Sequence, residues 1–423
     1  MVSFRSYAAR WRGRVPTAPL TAAYLGPGVA PALRAHRRIA LGGRGPVRKL
    51  AVVPLQVWLE ARWLAGQGQR EVAAALAHAG PPYQRATGTP LAEQSRMLRS
   101  LARGKGITPW EAYDFDLLRA PGKWPLFIYD REFGWNLAVS APSARTSIEL
   151  LSDKFRTGRW LAGLGIPTPD SELVAPWQAA QAEDLAAEWI GRWGAAVGKP
   201  RWGSGGDGVF ELLARPGGAG GFELRHYQRS DAAAEPSGYL RELLSSSDYV
   251  VQQRYESHAE FSECADRRRV VVMRVVTRDR GAGPEPFSCC VEIALPLLDG
   301  FARVAYVRVD RDGRMGGPAV PRWQGELEAS GGDGGPVTSE LQRILSAVAG
   351  LRVPDFERAV EYALRAHRAL PGLFAAAWDI AITTEGAVVL EGNTGFGTRV
   401  PQWISGGLFA GLDSIGTPGR RNV

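Results

Sequence analysis

Residues 376–397 read AAWDIAITTEGAVVLEGNTGFG, and this stretch narrows the possible folds more than any other. Two apolar runs meet at a Thr-Glu-Gly corner, the pattern of an antiparallel hairpin. Yet Asp379 interrupts the first run, and Glu391 and Asn393 close the second. A three-residue loop at Thr384-Glu385-Gly386, with Gly386 in the left-handed position, sets Thr383 opposite Ala387. Counting back then places Asp379 opposite Glu391, with Cβ atoms about 4.5–5.5 Å apart. Asn393 falls two residues beyond Glu391 and shares its face. Ala377, Ala381 and Val389 flank the three polar side chains. A two-residue turn would carry Asp379 to the other face, so the convergence depends on the loop. Adjacent carboxylates repel unless a cation neutralises them or one takes a proton. Two carboxylates and an amide form a hard oxygen set that suits Mg2+, an ion that normally shares its shell with substrate phosphates. The alternative is a surface hairpin with stray acids, and its apolar flanks speak against it.

A second stretch offers a place for phosphates. In VGKPRWGSGGDGVFEL, Lys199 ends a strand and Gly203, Ser204, Gly205, Gly206 and Gly208 form a loop. Glycines let backbone N–H groups approach phosphate oxygens, and a lysine adds a point charge. The spacing at 203, 205 and 208 satisfies the dinucleotide fingerprint, but that motif must open a helix. Here VFELLARPGG continues as a strand, which excludes it. No G-K-[ST] ends the run, so it is not a Walker loop. The lysine precedes the loop and no H-R-D follows, unlike a protein kinase. A merely flexible glycine hairpin is the plain alternative.

The rest of the composition bounds the setting. The 423 residues, 45% hydrophobic, suffice for two or three domains with a sizeable core. The longest apolar run, LAVVPLQVWL at 50–59, is too short to span a bilayer and contains Pro54. No secretory signal is expected. Three cysteines form neither a metal spacing nor a disulfide framework, which predicts a reducing cytoplasm. Five scattered histidines argue against zinc. The net charge of +8 is uneven: residues 1–110 carry 17 Lys and Arg against three acids, a balance of +14, and the remainder carries 34 against 40, a balance of −6. An anionic membrane surface, an acidic polymer or nucleic acid would each suit the basic quarter, as would a solvated helical appendage. No RNA motif, helix-turn-helix or zinc finger supports nucleic acid.

Along the chain no internal repeat stands out. Residues 30–105 read as helices, WPLFIYD (124–130) as a short strand, and 143–163 as one helix. AAVGKP, GVFELLA, YVVQQRY and RVVVMRVVT read as strands. Residues 354–372 form a helix with Pro354 in its first turn and Phe356, Val360, Ala363, Leu364 and His367 on one face. His367 reads as a satisfied core histidine. Strands and helices mix without strict alternation, which predicts an α+β, mainly antiparallel protein.

Lys154 in SDKFRTGRWLAGLGIPTP, the VGKPRWGSGGDGVF loop, YVVQQRYESHAEF and WDIAITTEGAVVLEGNTGFG stand in an order that resembles the ATP-grasp superfamily. The resemblance covers roughly 106–407. LEGNTGFG is similar to the metal-binding end of D-alanine–D-alanine ligases, whereas GITPWEAYDFDLL, QQRYESHAEF and MRVVT look like the sugar-transfer-associated branch. It implies ATP between two α+β subdomains and a carboxylate joined to an amine or other nucleophile through an acylphosphate, and the branch name implies a sugar acid in polysaccharide assembly. By position it implies Lys154 and Lys199 on the nucleotide phosphates and 203–208 as the lid. Gln252, Gln253, Arg254 and Tyr255 match the adenine hinge, and Glu260 matches the ribose contact. Asp379, Glu391 and Asn393 match the Mg2+ ligands, and Arg274 an arginine steadying phosphoryl and substrate carboxylate. The implied layout is a basic helical region (1–105), a pre-grasp segment (106–150), a subdomain with the lid (151–248), a subdomain with hinge and metal site (249–410) and a tail (411–423). FSCCVEIALPLLDGFARVAYVRVD departs from the glycine-rich, Asn-containing segment expected after the Arg274 strand, which leaves the acceptor pocket outside the resemblance. A small-molecule kinase and a nucleotide-binding scaffold are the alternatives.

Overall fold

The computed structural model describes residues 36, 58, 61–129, 132, 135–203, 208–215, 221–226, 235–265, 270–294, 304–319 and 343–410. The expected lid residues Ser204, Gly205 and Gly206, most of the region before 61 and the tail 411–423 lie outside them.

Two antiparallel sheets organise the chain, as the α+β expectation holds. The smaller has the order β1-β5-β2-β3-β4, from Ser171–Val174 (β1), Ala195–Pro200 (β2), Phe210–Ala214 (β3), Phe222–His226 (β4) and Tyr249–Gln253 (β5). Its core joins Val251, Leu212 and Leu224 to Trp189 of the helix Ala182–Trp193 and Leu240 and Leu244 of the helix Pro236–Ser246. The larger runs β11-β10-β6-β7-β8-β9, from Val272–Asp279 (β6), Pro284–Ala294 (β7), Val304–Val309 (β8), Met315–Pro318 (β9), Ala375–Thr383 (β10) and Gly386–Asn393 (β11). Met273, Val275, Val291, Ile293, Val307, Trp378 and Ile380 share a core with the helix Phe356–Arg368 and with Leu151 and Leu161. Alternation along the strands sends the polar residues of β6, β7, β10 and β11 to the other face. Helices Gly68–Thr87, Leu91–Lys105 and Pro109–Asp114 build a separate core around Tyr83, Leu98 and Tyr113, with Thr108 and Glu111 forming a capping box. The GITPWEAYDFDLL segment thus serves packing. Among the described residues no helix is long and apolar enough to cross a membrane.

Several sequence expectations give way. Tyr249–Gln253, expected in the subdomain with the hinge and metal site, pairs with β1 and β2 in the smaller sheet. Residues Pro121–Leu126 form a 3-10 turn where a strand was expected, because Pro121 and Pro125 withhold backbone donors. The expected helix over 143–163 is two, Ala144–Ser152 and Lys154–Gly163, broken at the extended Asp153. The helix after Pro354 begins at Phe356, behind Asp355 in the left-handed region (φ 56°). Its buried face runs Phe356, Ala359, Ala363, Ala366 and His367, leaving Val360 and Leu364 half-buried. His367 is the satisfied core histidine expected: Nδ1 lies 2.7 Å from Thr277 Oγ1 and Nε2 3.0 Å from Leu373 O. All three cysteines are free and buried.

Gly198 pairs with Phe210, whose ring lies over it, and a Cβ there would meet the ring at 2.0 Å. The ring also packs against Tyr249 and cannot simply swing aside. Gly198→Ala is therefore expected to cost about 1–3 kcal/mol, the usual penalty of overpacking, read as a lower urea midpoint with an unchanged slope.

Candidate functional site

The hairpin reaches its predicted convergence by a different route. Thr383 pairs with Gly386, so the turn holds two residues, Thr384 and Glu385, and Gly386 is left-handed at φ 110°. That register alone would turn Asp379 away from Glu391. A bulge corrects it: Ile380 pairs with Val389 but Asp379 with Glu391, leaving Leu390 as the extra residue. In consequence Val388, not Val389, pairs with Ala381, and Val389 joins the core. Asn393 Nδ2 donates to Asp379 Oδ2 at 3.2 Å and to Glu391 Oε1 at 3.0 Å. Asp379, Glu391 and Asn393 are thus brought together.

Arg274 completes the row. It lies on β6 between Asp379 on β10 and Cys290 on β7. Its Nε donates to Asp379 Oδ1 at 2.8 Å and Nη2 to Oδ2 at 3.1 Å. Nη1 lies 2.9 Å from Glu292 Oε1, an ion pair without hydrogen-bond alignment, and that buried oxygen has no hydrogen-bond partner. Glu292 was not anticipated from sequence. The available signal was a lone acid in the apolar run CCVEIA, readable only once the β6–β7 register is known. Burial pushes the Glu292 carboxyl up to about 7, against the pull of Arg274 and helped by Asp379 and Glu391. Burial likewise raises Asp379 against the pull of Arg274.

The two lysines come from separate elements. Lys154 opens the helix Lys154–Gly163 and donates to Gly203 O at 2.6 Å. Lys199, near the end of β2, donates to the bulge carbonyl Leu390 O at 3.3 Å and lies 3.8 Å from Glu391 Oε2. Burial would raise Glu391, but Lys199 and Lys154 outweigh it and hold the carboxyl below its ordinary value. Burial lowers Lys154, opposed by Glu391 and reinforced by Lys199. Asp153 ties the lysines together. It caps the Lys154 helix through Arg156 N at 3.1 Å and receives the Arg201 guanidinium at 2.6 to 3.1 Å. Arg201 stands two residues beyond Lys199 and also pairs with Asp248.

The remaining expected residues are more scattered. Gln252 is buried within β5. The Gln253 and Arg254 amides already donate, to Asp170 O at 3.0 Å and Ala195 O at 3.1 Å. Tyr255 is half-buried, with its hydroxyl pKa raised by burial and by Glu385 and Asp170. Glu260 is exposed in the turn Ala259–Phe261. That turn is anchored to the hairpin tip by His258 N donating to Ile382 O at 2.9 Å. Gly203 and Gly208 both have positive φ, flanking the loop, and Tyr249 OH donates to Gly208 O at 3.1 Å.

Among the described residues no three His, Cys, Asp or Glu side chains surround a common metal position. Two carboxylates and the Asn393 amide are what the site offers. Both carboxylates already face cationic or N–H donors, Arg274 and Asn393 on Asp379 and Lys199 and Asn393 on Glu391. The oxygen donor set suits a hard divalent cation, which would take over those donors' role in offsetting the negative charge.

No family model matches the chain, and no curated protein matches it. Among solved structures it is similar to the ATP-grasp ligase PsnB complexed with minimal precursor, at 14% identity and a TM-score of 0.34, over 63% of this chain and 58% of that one. It is similar to D-alanyl-alanine synthetase A from Vibrio cholerae at 13% and 0.34, covering 64% and 67%. It is also similar to the ADP complex of purK, an N5-carboxyaminoimidazole ribonucleotide synthetase, at 12% and 0.35, covering 64% and 54%. The chain thus spans between about half and two thirds of the length of these structures.

The Asp153–Arg201 pair generates a stability test. Asp153→Ala leaves a guanidinium with only Asp248, and is expected to cost about 3 kcal/mol, the low end for breaking a buried pair. Burial raises the Asp153 carboxyl, but Arg201 and the Arg156 and Phe155 amides outweigh it and hold the group below its ordinary value. Its contribution is therefore full above about pH 4 and is lost as pH falls through the depressed folded value. Urea titrations of both proteins across that range should show the gap closing in acid.

Proposed function

We propose that the chain is an ATP-dependent ligase that joins a carboxylate to an amine through an acylphosphate and releases ADP and phosphate. The observation that carries this reading is the contact across the two sheets. Lys199, rooted in the smaller sheet, ends 3.8 Å from Glu391 of the larger, where Asp379, Asn393 and Arg274 also gather. Phosphoryl transfer needs cations on the oxygens in flight and no dedicated protein nucleophile. Lys154 and Lys199 would hold the nucleotide phosphates beneath the 203–208 lid, and the 252–255 hinge would receive the adenine, with Glu260 toward the ribose. Arg274 would steady the substrate carboxylate and the phosphoryl it accepts. Asp379, Glu391 and Asn393 would hold Mg2+, which when bound supplies positive charge to the phosphate oxygens.

For the carboxylate we favour a sugar acid, on the resemblance of QQRYESHAEF and MRVVT to the sugar-transfer-associated branch. For setting we favour the cytoplasm, in keeping with the three free thiols. The +14 balance of residues 1–110 supports docking on an anionic membrane face or acidic polymer. The full chain should then sediment with phosphatidylserine vesicles at low salt, less at high salt, and not with neutral vesicles. Equal binding to both vesicle types would remove that part of the reading.

A panel of sugar acids and amines, followed by ADP release and mass-identified product, tests the activity. An amide supports a ligase; a phosphorylated product without amide makes it a kinase; Mg-ATP binding without turnover makes it a scaffold. Glu391→Gln should lower turnover about 100-fold or more, the loss typical of removing one charge-stabilising group. Because Lys199 and Lys154 hold Glu391 ionised in the folded protein, the variant should also melt somewhat lower without nucleotide. It should lose the added stabilisation from Mg-ADP, which for a ligand at a hundred times its Kd is about 2.7 kcal/mol. Wild-type turnover by Glu391→Gln would overturn the metal assignment.

A further inference from the structure

Asp379 has one oxygen, Oδ2, whose two acceptor sites are both taken. Oδ1 accepts from Arg274 Nε, and Oδ2 from Arg274 Nη2 and Asn393 Nδ2. A cation binding Oδ2, the oxygen on the Asn393 side, must therefore displace Arg274 Nη2 as well as turn the amide. Arg274 is largely buried, its side chain 23% exposed, and a buried cation stripped of its carboxylate costs several kcal/mol as an order of magnitude. One acceptor is already in place. Glu292 stands on the adjoining strand with Oε1 2.9 Å from Nη1, buried and without a hydrogen-bond partner. An orphaned buried carboxylate oxygen is itself costly and needs a reason. Tyr306, opposite Glu292 on β8, and Cys290, opposite Arg274 on β7, carry no permanent charge that would serve instead.

Resting on the metal assignment above, we propose that Glu292 is a positioning residue that receives the Arg274 guanidinium when a divalent cation takes Asp379. Arg274 lies between the two carboxylates, so the exchange is a swing of one side chain across a strand spacing. Without Glu292, the guanidinium has only Asp379 to pair with and competes with the metal. The displaced guanidinium would also face the acceptor side of the site, where the substrate carboxylate would lie.

The test uses the full chain with ADP and Mg2+, read as thermal midpoint against Mg2+ concentration at fixed ADP. Glu292→Gln should raise the Mg2+ concentration for half-maximal stabilisation at least about tenfold, while the midpoint shift with ADP alone stays unchanged. Arg274→Met removes the competitor and should lower the Mg2+ requirement below wild type. The double variant should return to that lowered value, which a simple loss of negative charge would not produce. A wild-type Mg2+ requirement in Glu292→Gln overturns the proposal, as does a raised requirement persisting in the double variant. Should Glu292→Gln fail to fold, an unchanged or raised requirement in Arg274→Met overturns it alone. No response of the wild type to Mg2+ with ADP would instead overturn the metal assignment on which it rests.

Discussion

Charge between the two sheets can be kept out of water only because it is mutually compensated. Lys154, Lys199 and Arg274 stand against Asp379, Glu391 and Glu292, three cations and three carboxylates drawn from six elements. Each pairing crosses an element boundary: Arg274 bridges β10 and β7, and Lys199 bridges the sheets. Removing one member strands another in a poorly solvated place. The surrounding packing serves this set. Trp378 and Ile380 anchor the hairpin from the core side, while Asp153 and Arg201 fix the bases of the two lysines.

Such a network is stable yet poised for exchange. Its donors are side chains, cationic apart from the Asn393 amide, not backbone groups locked in a ladder. Under the proposed function, a nucleotide and its counter-ion would replace interactions of the same sign. The site therefore does not wait as an empty hole with uncompensated charge; the protein's own groups stand in for the charges to come.

Much of this was legible in the sequence because it depended on alternation. Asp379, Glu391 and Asn393 each break an apolar strand pattern and are visible without coordinates, and Lys199 stands out at a strand end before a glycine loop. Lys154 and Arg274 stand out only by the order of motifs they share with a known superfamily. Glu292 escaped because its meaning depends on the β6–β7 register, which a lone acid in CCVEIA cannot reveal. The break at Asp153 escaped for a similar reason: its partner Arg201 lies 48 residues on. The placement of Tyr249–Gln253 in the first sheet likewise depends on pairings to Ser171–Val174 and Ala195–Pro200 that no local pattern encodes.

The hairpin carries a lesson about counting. A three-residue loop with straight strands and a two-residue loop with one bulge yield the same facing pair, because the unpaired residues between Asp379 and Glu391 sum to three either way. Leu390 supplies the residue that the corner omits, and its carbonyl then meets Lys199. In related chains, a residue gained at the corner and one lost beside the acid would leave the chemistry intact while shifting every intervening position. Sequence comparison would score two gaps where the molecule has none that it can feel. Distance from the turn is thus a poor guide to such a pair, and the sum of loop and bulge residues between its members a good one.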